Sequence, residues 1–123
     1  MPKEVRTLVE ERVGEIVILR PPMPFWLGAE ETDEFTGRVR DLAAAGCTRL
    51  VVNLASIPRM NSISVGALGE AWNALRPNQG RLIVCCAGKE CLLILKLTRL
   101  DEVITVCASE AEALALLAPS QAP

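Results

Sequence analysis

Val5 to Val9 alternates apolar and polar residues, the pattern of a strand with one wet face. Glu10-Glu11-Arg12 then leads to Gly14, which predicts a hairpin turn. Ile16 to Leu19 is an all-apolar run closed by Pro21, as an interior strand requires. Pro21, Pro22 and Pro24 have no backbone N–H to give, so pairing stops and a loop carries Phe25 and Trp26. From Ala29 to Ala45 the spacing becomes three and four, through Phe35, Val39, Leu42 and Ala43. Glu30, Glu31, Asp33 and Glu34 lie at the end where the helix dipole favours acids, and Gly46 marks the stop.

Arg49 to Leu54 reads as a second interior strand, followed by a loop from Ala55 to Asn61 that contains Pro58 and Arg59. A helix starts at Ser62, with Val65, Leu68, Trp72 and Leu75 as its apolar stripe and either Asn61 or Ser62 as its cap. Pro77-Asn78-Gln79-Gly80 is a turn, and Leu82 to Cys86 a third interior strand. Beyond Gly88, Lys89 to Thr98 predicts a helix with Cys91, Leu92, Leu95 and Leu100 inward. Val103 to Val106 is a short strand, and Ser109-x-x-Glu112 is a capping box that opens a last helix, Glu110 to Leu117.

Two opening strands followed by strand–helix alternation predict one α/β domain over residues 1–117, with 118–123 as a flexible tail. The sheet should be mixed, with four to five strands and about four helices mainly on one face. A hairpin start is antiparallel, the crossovers after it are parallel, and their common hand gathers the helices.

Composition narrows the function. Of the 123 residues 50% are hydrophobic and only 3% aromatic, so the core must be aliphatic, with Trp72 expected inside it. The net charge of −2 is interspersed, which argues against a nucleic-acid partner. The central apolar stretch is broken by Lys89, Glu90 and Lys96, and no signal-like start is present, so neither a membrane span nor export is expected and the cytoplasm is the expected location. With no histidine, Ser-His-Asp and Cys-His catalysis are excluded, and no phosphate-cradling glycine motif occurs. No catalytic residue, metal ligand or cofactor is therefore assigned. The five cysteines read as reduced thiols serving as small core hydrophobes, and Cys85 and Cys86, adjacent in a strand, should point to opposite faces.

Chemistry concentrates at Pro58-Arg59-Met60-Asn61-Ser62-Ile63-Ser64-Val65-Gly66, between a buried strand and a helix at the carboxyl end of the sheet. Hydroxyls at a helix start cap it. One of them is also placed to accept a phosphoryl group, which free amides and the positive dipole end would stabilise. Both roles are compatible. Arg59 is a solvated charge or a steering group for an acidic partner, and the Lys89 to Lys96 segment a solvated helix face. Phe25 and Trp26 cover a core edge or anchor a partner.

In order and spacing, several stretches resemble the anti-sigma factor antagonists of the STAS domain family. They are Leu50-Val51-Val52-Asn53-Leu54, Asn61-Ser62-Ile63-Ser64-Val65-Gly66, Gly80-Arg81-Leu82-Ile83-Val84, Leu97-Thr98-Arg99-Leu100-Asp101-Glu102-Val103 and Ser109-Glu110-Ala111-Glu112-Ala113. The resemblance implies a STAS fold and a partner-switching role without catalysis. The unmodified protein would bind an anti-sigma factor, often a serine kinase, until phosphorylation of the serine at position 62 ends binding and a phosphatase resets the cycle. Partner contacts would then fall on Arg59, Asn61, Ser62, Ile63, Ser64 and Gly66. The chain departs from the family's D-S-[ST]-G-L-G pattern by carrying Asn61 for the Asp, Ile63 for the second hydroxyl and Ser64 for the first Gly. Those departures leave a second reading, a constitutive STAS scaffold of a larger signalling complex whose serine is never modified. A third is a small-molecule or nucleotide site at the helix start.

Overall fold

Strands β2 (Ile16–Arg20), β3 (Arg49–Asn53) and β4 (Arg81–Cys85) form the parallel centre of the sheet in the computed structural model, which describes residues 8–22 and 29–118. Their interiors, Ile16–Leu19, Leu50–Val52 and Leu82–Cys85, are continuous apolar runs because both of their faces are covered. Strand β1 (Val9–Val13) pairs antiparallel with β2, and β5 (Thr105–Cys107) pairs parallel with β4, so spatial order equals chain order across the five strands.

The first hairpin differs from the sequence expectation. Glu10-Glu11-Arg12 is strand, not turn, and Val13 pairs directly with Ile16, leaving Gly14-Glu15 as a two-residue loop. Gly14 takes φ +61, as the first position of a type II′ turn requires. The polar stretch is tolerated because β1 is an edge, where Arg38 clasps Glu10 with two hydrogen bonds of 2.7 and 2.9 Å. The expected strand Val5–Val9 lies outside the described residues except for Leu8 and Val9, and so do Phe25, Trp26 and residues 119–123 of the expected tail.

Among the described residues four α-helices complete the domain: α1 (Ala29–Ala44), α2 (Ser62–Leu75), α3 (Lys89–Leu97) and α4 (Glu110–Leu117). The first three share one core with one face of the sheet, where Val17, Leu19, Leu50, Val52, Leu82 and Val84 meet Phe35, Val39, Leu42, Leu68, Cys91 and Leu95. On the other face α4, the one helix there among the described residues, seats Ala113 and Leu117 on Ile16, Ile18, Val51, Ile83 and Cys85. Helices thus lie mainly on one face, as the crossovers predict.

Two stripes are displaced from the expected positions. On α2 the buried line is Ser64, Ala67, Leu68, Ala71 and Leu75, with Val65 and Trp72 only half-buried. The alanines let α2 pack closely against α1, its most extensive helix contact, and Arg76 covers the Trp72 ring at 4.8 Å. On α3 only Cys91 and Leu95 are buried, and Leu92 is exposed.

Candidate functional site

The loop after β3 is held from below by apolar anchors. Leu54, Ile57 and Met60 are buried, which leaves Pro58 and Arg59 on the surface between them. Two cross-links set its height. The Leu54 N–H donates to the Cys85 carbonyl at 3.0 Å, and the Cys91 thiol donates to the Ile57 carbonyl at 3.4 Å. The root of the loop is fixed by polar groups far apart in sequence. Arg20 donates to both oxygens of Glu110 at 2.7 and 2.8 Å and meets Glu11 at 2.8 Å. Asn53 donates to the same Glu110 carboxylate and accepts from the Ala55 N–H at 2.7 Å. The Arg20 guanidinium holds the Glu110 carboxyl below its ordinary range, and burial opposes the shift. Glu110 therefore stays ionised at neutral pH and pins the exit of β3 to the start of α4.

At the top of the loop, Asn61 caps α2. Its backbone is extended (φ −123°, ψ −175°), and its side-chain oxygen accepts from the Ser64 N–H at 2.9 Å. In return the Ser64 hydroxyl accepts from the Asn61 N–H at 2.8 Å and lies 3.0 Å from the Asn61 carbonyl, to which it can donate. Ser64, expected among the partner contacts, has 0% of its surface exposed. It is a structural residue: the side chain that replaces the family's glycine is folded into the cap instead of adding bulk to the surface.

Ser62 is the first helical residue and is exposed, and no hydrogen bond involves its hydroxyl among the described residues. Because the box consumes the Asn61 and Ser64 amides, the Ser62 and Ile63 N–H groups of the first turn are left without an acceptor among the described residues. An exposed hydroxyl thus stands beside two unclaimed donors at the positive end of α2, a setting that suits a phosphoryl group. Ile63 is 42% exposed, and a Cβ built on Gly66, one turn along, would meet nothing within 4 Å. Arg59 is exposed and lies 3.9 Å from Glu90 at the start of α3. The structure therefore brings Arg59, Asn61, Ser62, Ile63 and Gly66 onto the exposed side of one short segment.

Sequence reasoning missed two features. The Arg20–Glu110–Asn53 network joins groups too distant along the chain for any spacing rule. The Lys89–Lys96 segment is not a plain solvated face either, since α3 exposes Leu92, Leu93 and Leu97, the last to 68%. An all-apolar Leu92-Leu93-Ile94-Leu95 run in a helix cannot be buried on every side, which was the available signal.

The sequence profile of the STAS domain matches residues 7–113. The chain belongs to the STAS domain family. A putative anti-sigma factor antagonist from Thermotoga maritima superimposes with a TM-score of 0.78 at 19% identity, over 89% of this chain and 93% of that one. A STAS domain protein from Planctomyces limnophilus gives 0.78 at 19%, over 90% and 97%. The phosphorylated form of the Bacillus cell fate determinant SpoIIAA gives 0.70 at 18%, over 91% and 100%. At such identities these likenesses establish the fold. No curated protein matches the chain in sequence. Among the described residues, no helix of this STAS domain is long and apolar enough to cross a membrane.

Proposed function

We propose that this STAS domain is an anti-sigma factor antagonist-like regulator that works by binding, not catalysis, and docks a serine-kinase-type anti-sigma factor through Arg59, Asn61, Ser62, Ile63 and Gly66. The kinase partner phosphorylates Ser62 and a phosphatase resets it, in the cytoplasm of a bacterial cell. The observation that carries this reading is the placement of Ser62. Its hydroxyl is exposed and makes no hydrogen bond within the described residues, while Asn61 and Ser64 hold the backbone on either side. A modification there changes the surface without dismantling the cap. A phosphoryl group adds about −1.5 to −2 charge and three acceptor oxygens in the middle of the docking face, where an apposed partner would have to desolvate or repel them. Ile63 and Gly66 supply an apolar contact and room for close approach.

The test is affinity capture of the tagged protein from its own cells, with mass spectrometry of partners and phosphopeptides. Recovery of a serine-kinase-like anti-sigma factor, with phosphate on Ser62 in part of the population and none in the captured complex, supports the switch. Capture of no such partner, or of one whose binding ignores Ser62→Asp and Gly66→Phe alike, overturns it.

Asn61 favours a second reading. Without the family's carboxylate beside the acceptor, kinase recognition loses a charge, and a constitutive scaffold of a larger signalling complex results. Fixed-stoichiometry co-purification with unmodified Ser62 under all growth conditions would select it.

A further inference from the structure

The end of β4 carries a pair of thiols that the docking reading does not use. Cys85 is the last strand residue, and its side chain is fully buried against α4. Were Cys86 to continue the strand, its side chain would point to the opposite face. Instead Cys86 adopts φ +63, a left-handed conformation that a non-glycine residue rarely takes. This turns its thiol to the same side as that of Cys85, with the two sulfurs 3.6 Å apart. The expectation of opposite faces is corrected, and the reason is the end of the strand at Cys85. A third thiol, Cys107, lies on the neighbouring strand in register with Cys85 and packs on the same face, where it donates to the Ser109 carbonyl at 3.5 Å. All five cysteines are free, and Cys86 is only half-buried, so solvent reaches the pair from its side.

We propose that Cys85 and Cys86 are a vicinal dithiol that a hydroperoxide closes to a disulfide, and that the Cys85 carbonyl passes the change to Leu54 at the root of the Ser62 loop. The accessible Cys86 thiolate attacks the O–O bond of hydrogen peroxide, and with one proton taken up this gives Cys86 sulfenic acid and water. The Cys85 sulfur then displaces the sulfenic oxygen, losing its proton, and a second water leaves as the S–S bond forms. In sum the two thiols lose two electrons and two protons, and one peroxide becomes two waters. Neighbouring Cα atoms sit only about 3.8 Å apart, below the roughly 4.4–6.8 Å usual for a disulfide, so the closed ring is strained and easily reduced. That suits a reversible modification. The ring contains the peptide plane whose carbonyl accepts from the Leu54 N–H at 3.0 Å, so closure acts on the first hydrogen bond of the loop. Any effect on docking rests on the reading of Ser62 given above, whereas the chemistry does not.

The purified full-length protein, treated with hydrogen peroxide, alkylated and digested with trypsin, tests this. The peptide Leu82–Lys89 should be lighter by two hydrogen atoms, refuse alkylation, and regain two alkylatable thiols after dithiothreitol. Cys86→Ser should abolish closure and Cys107→Ser leave it intact. In amide-exchange NMR of the oxidised protein, Leu54 should exchange at least tenfold faster while β1 and β2 are unchanged. Two alkylated cysteines in that peptide after peroxide, or a cross-link to the Cys107 peptide, overturn the pairing. An unchanged Leu54 amide in fully oxidised protein overturns the coupling. None of these readouts involves a partner, so their failure is distinct from failure of the docking reading.

Discussion

Asn61 and Ser64 exchange hydrogen bonds across the first turn of α2, side chain to backbone in both directions, at 2.8 and 2.9 Å. Removing either half leaves an amide unpaired at a helix start. Asn61→Ala and Ser64→Ala should each lower stability by about 0.5–2 kcal/mol, with less than additive loss in the double variant because they serve one motif. Urea denaturation of the three variants checks this, and Asn61→Asp should retain the cap.

Ser62 sits between those residues yet contributes nothing to the box. Ser62→Ala should therefore change stability by no more than about 0.5 kcal/mol, the ordinary range for an exposed site. Ser62→Asp places an acid at the positive end of the dipole and should not destabilise either. If the docking reading holds, Ser62→Asp nonetheless weakens partner binding tenfold or more, about 1.4 kcal/mol. Calorimetry of folding and of binding on the same variants separates the two effects.

Much of this arrangement is legible in the sequence, and the rest is not for identifiable reasons. Strands β2, β3 and β4 announce themselves because both faces are buried, so Ile16 to Leu19 and Leu50 to Val52 are continuous apolar runs. Strand β1 does not, because Val-Glu-Glu-Arg-Val lies at an edge and is held by ion pairs with Arg38 and Arg20 that only the fold brings near. The α2 stripe was displaced because Ala67 and Ala71, weak signals in a hydrophobic count, carry the close contact with α1. The candidate serine was readable from its motif and its place after a buried strand. The inward turn of Ser64 was not, since nothing in its spacing tells a capping hydroxyl from an exposed one. Likewise Ser109 caps α4 by accepting from the Glu112 N–H, but the Glu112 carboxylate reaches the Ala108 N–H instead of that of Ser109, so the expected box closes one residue early.

The acid limb of stability should report the Arg20–Glu110 pair. Glu110 and Glu10 both have carboxyls lowered by an arginine partner, Arg20 and Arg38 respectively. A lowered folded-state value means that the unfolded chain binds protons first. The stabilisation is thus fully present above about pH 4.5, the ordinary value, and is lost as pH falls through the depressed folded values. Melting temperature followed between pH 6 and 3 should fall, and Glu110→Gln should start lower at pH 6 and fall less steeply. An equally steep fall in the variant would remove Glu110 from the account.

One substitution made at two glycines should have opposite signs. Gly66 lies in α2 with open space where a Cβ would go, so Gly66→Ala replaces a costly helix residue with the best one and should stabilise by about 0.5–1 kcal/mol. At Gly80 the same methyl would sit 2.9 Å from both the Cβ and the carbonyl oxygen of Leu75, which is fully buried and cannot retreat. The Gly80 N–H also donates to that carbonyl at 2.9 Å, so relief of the clash breaks a hydrogen bond that leads into β4. Gly80→Ala should destabilise by about 1–3 kcal/mol, the usual effect of overpacking. Chemical denaturation of the two variants side by side decides the matter, since a global property of the chain would move both in the same direction and only the local geometry separates them.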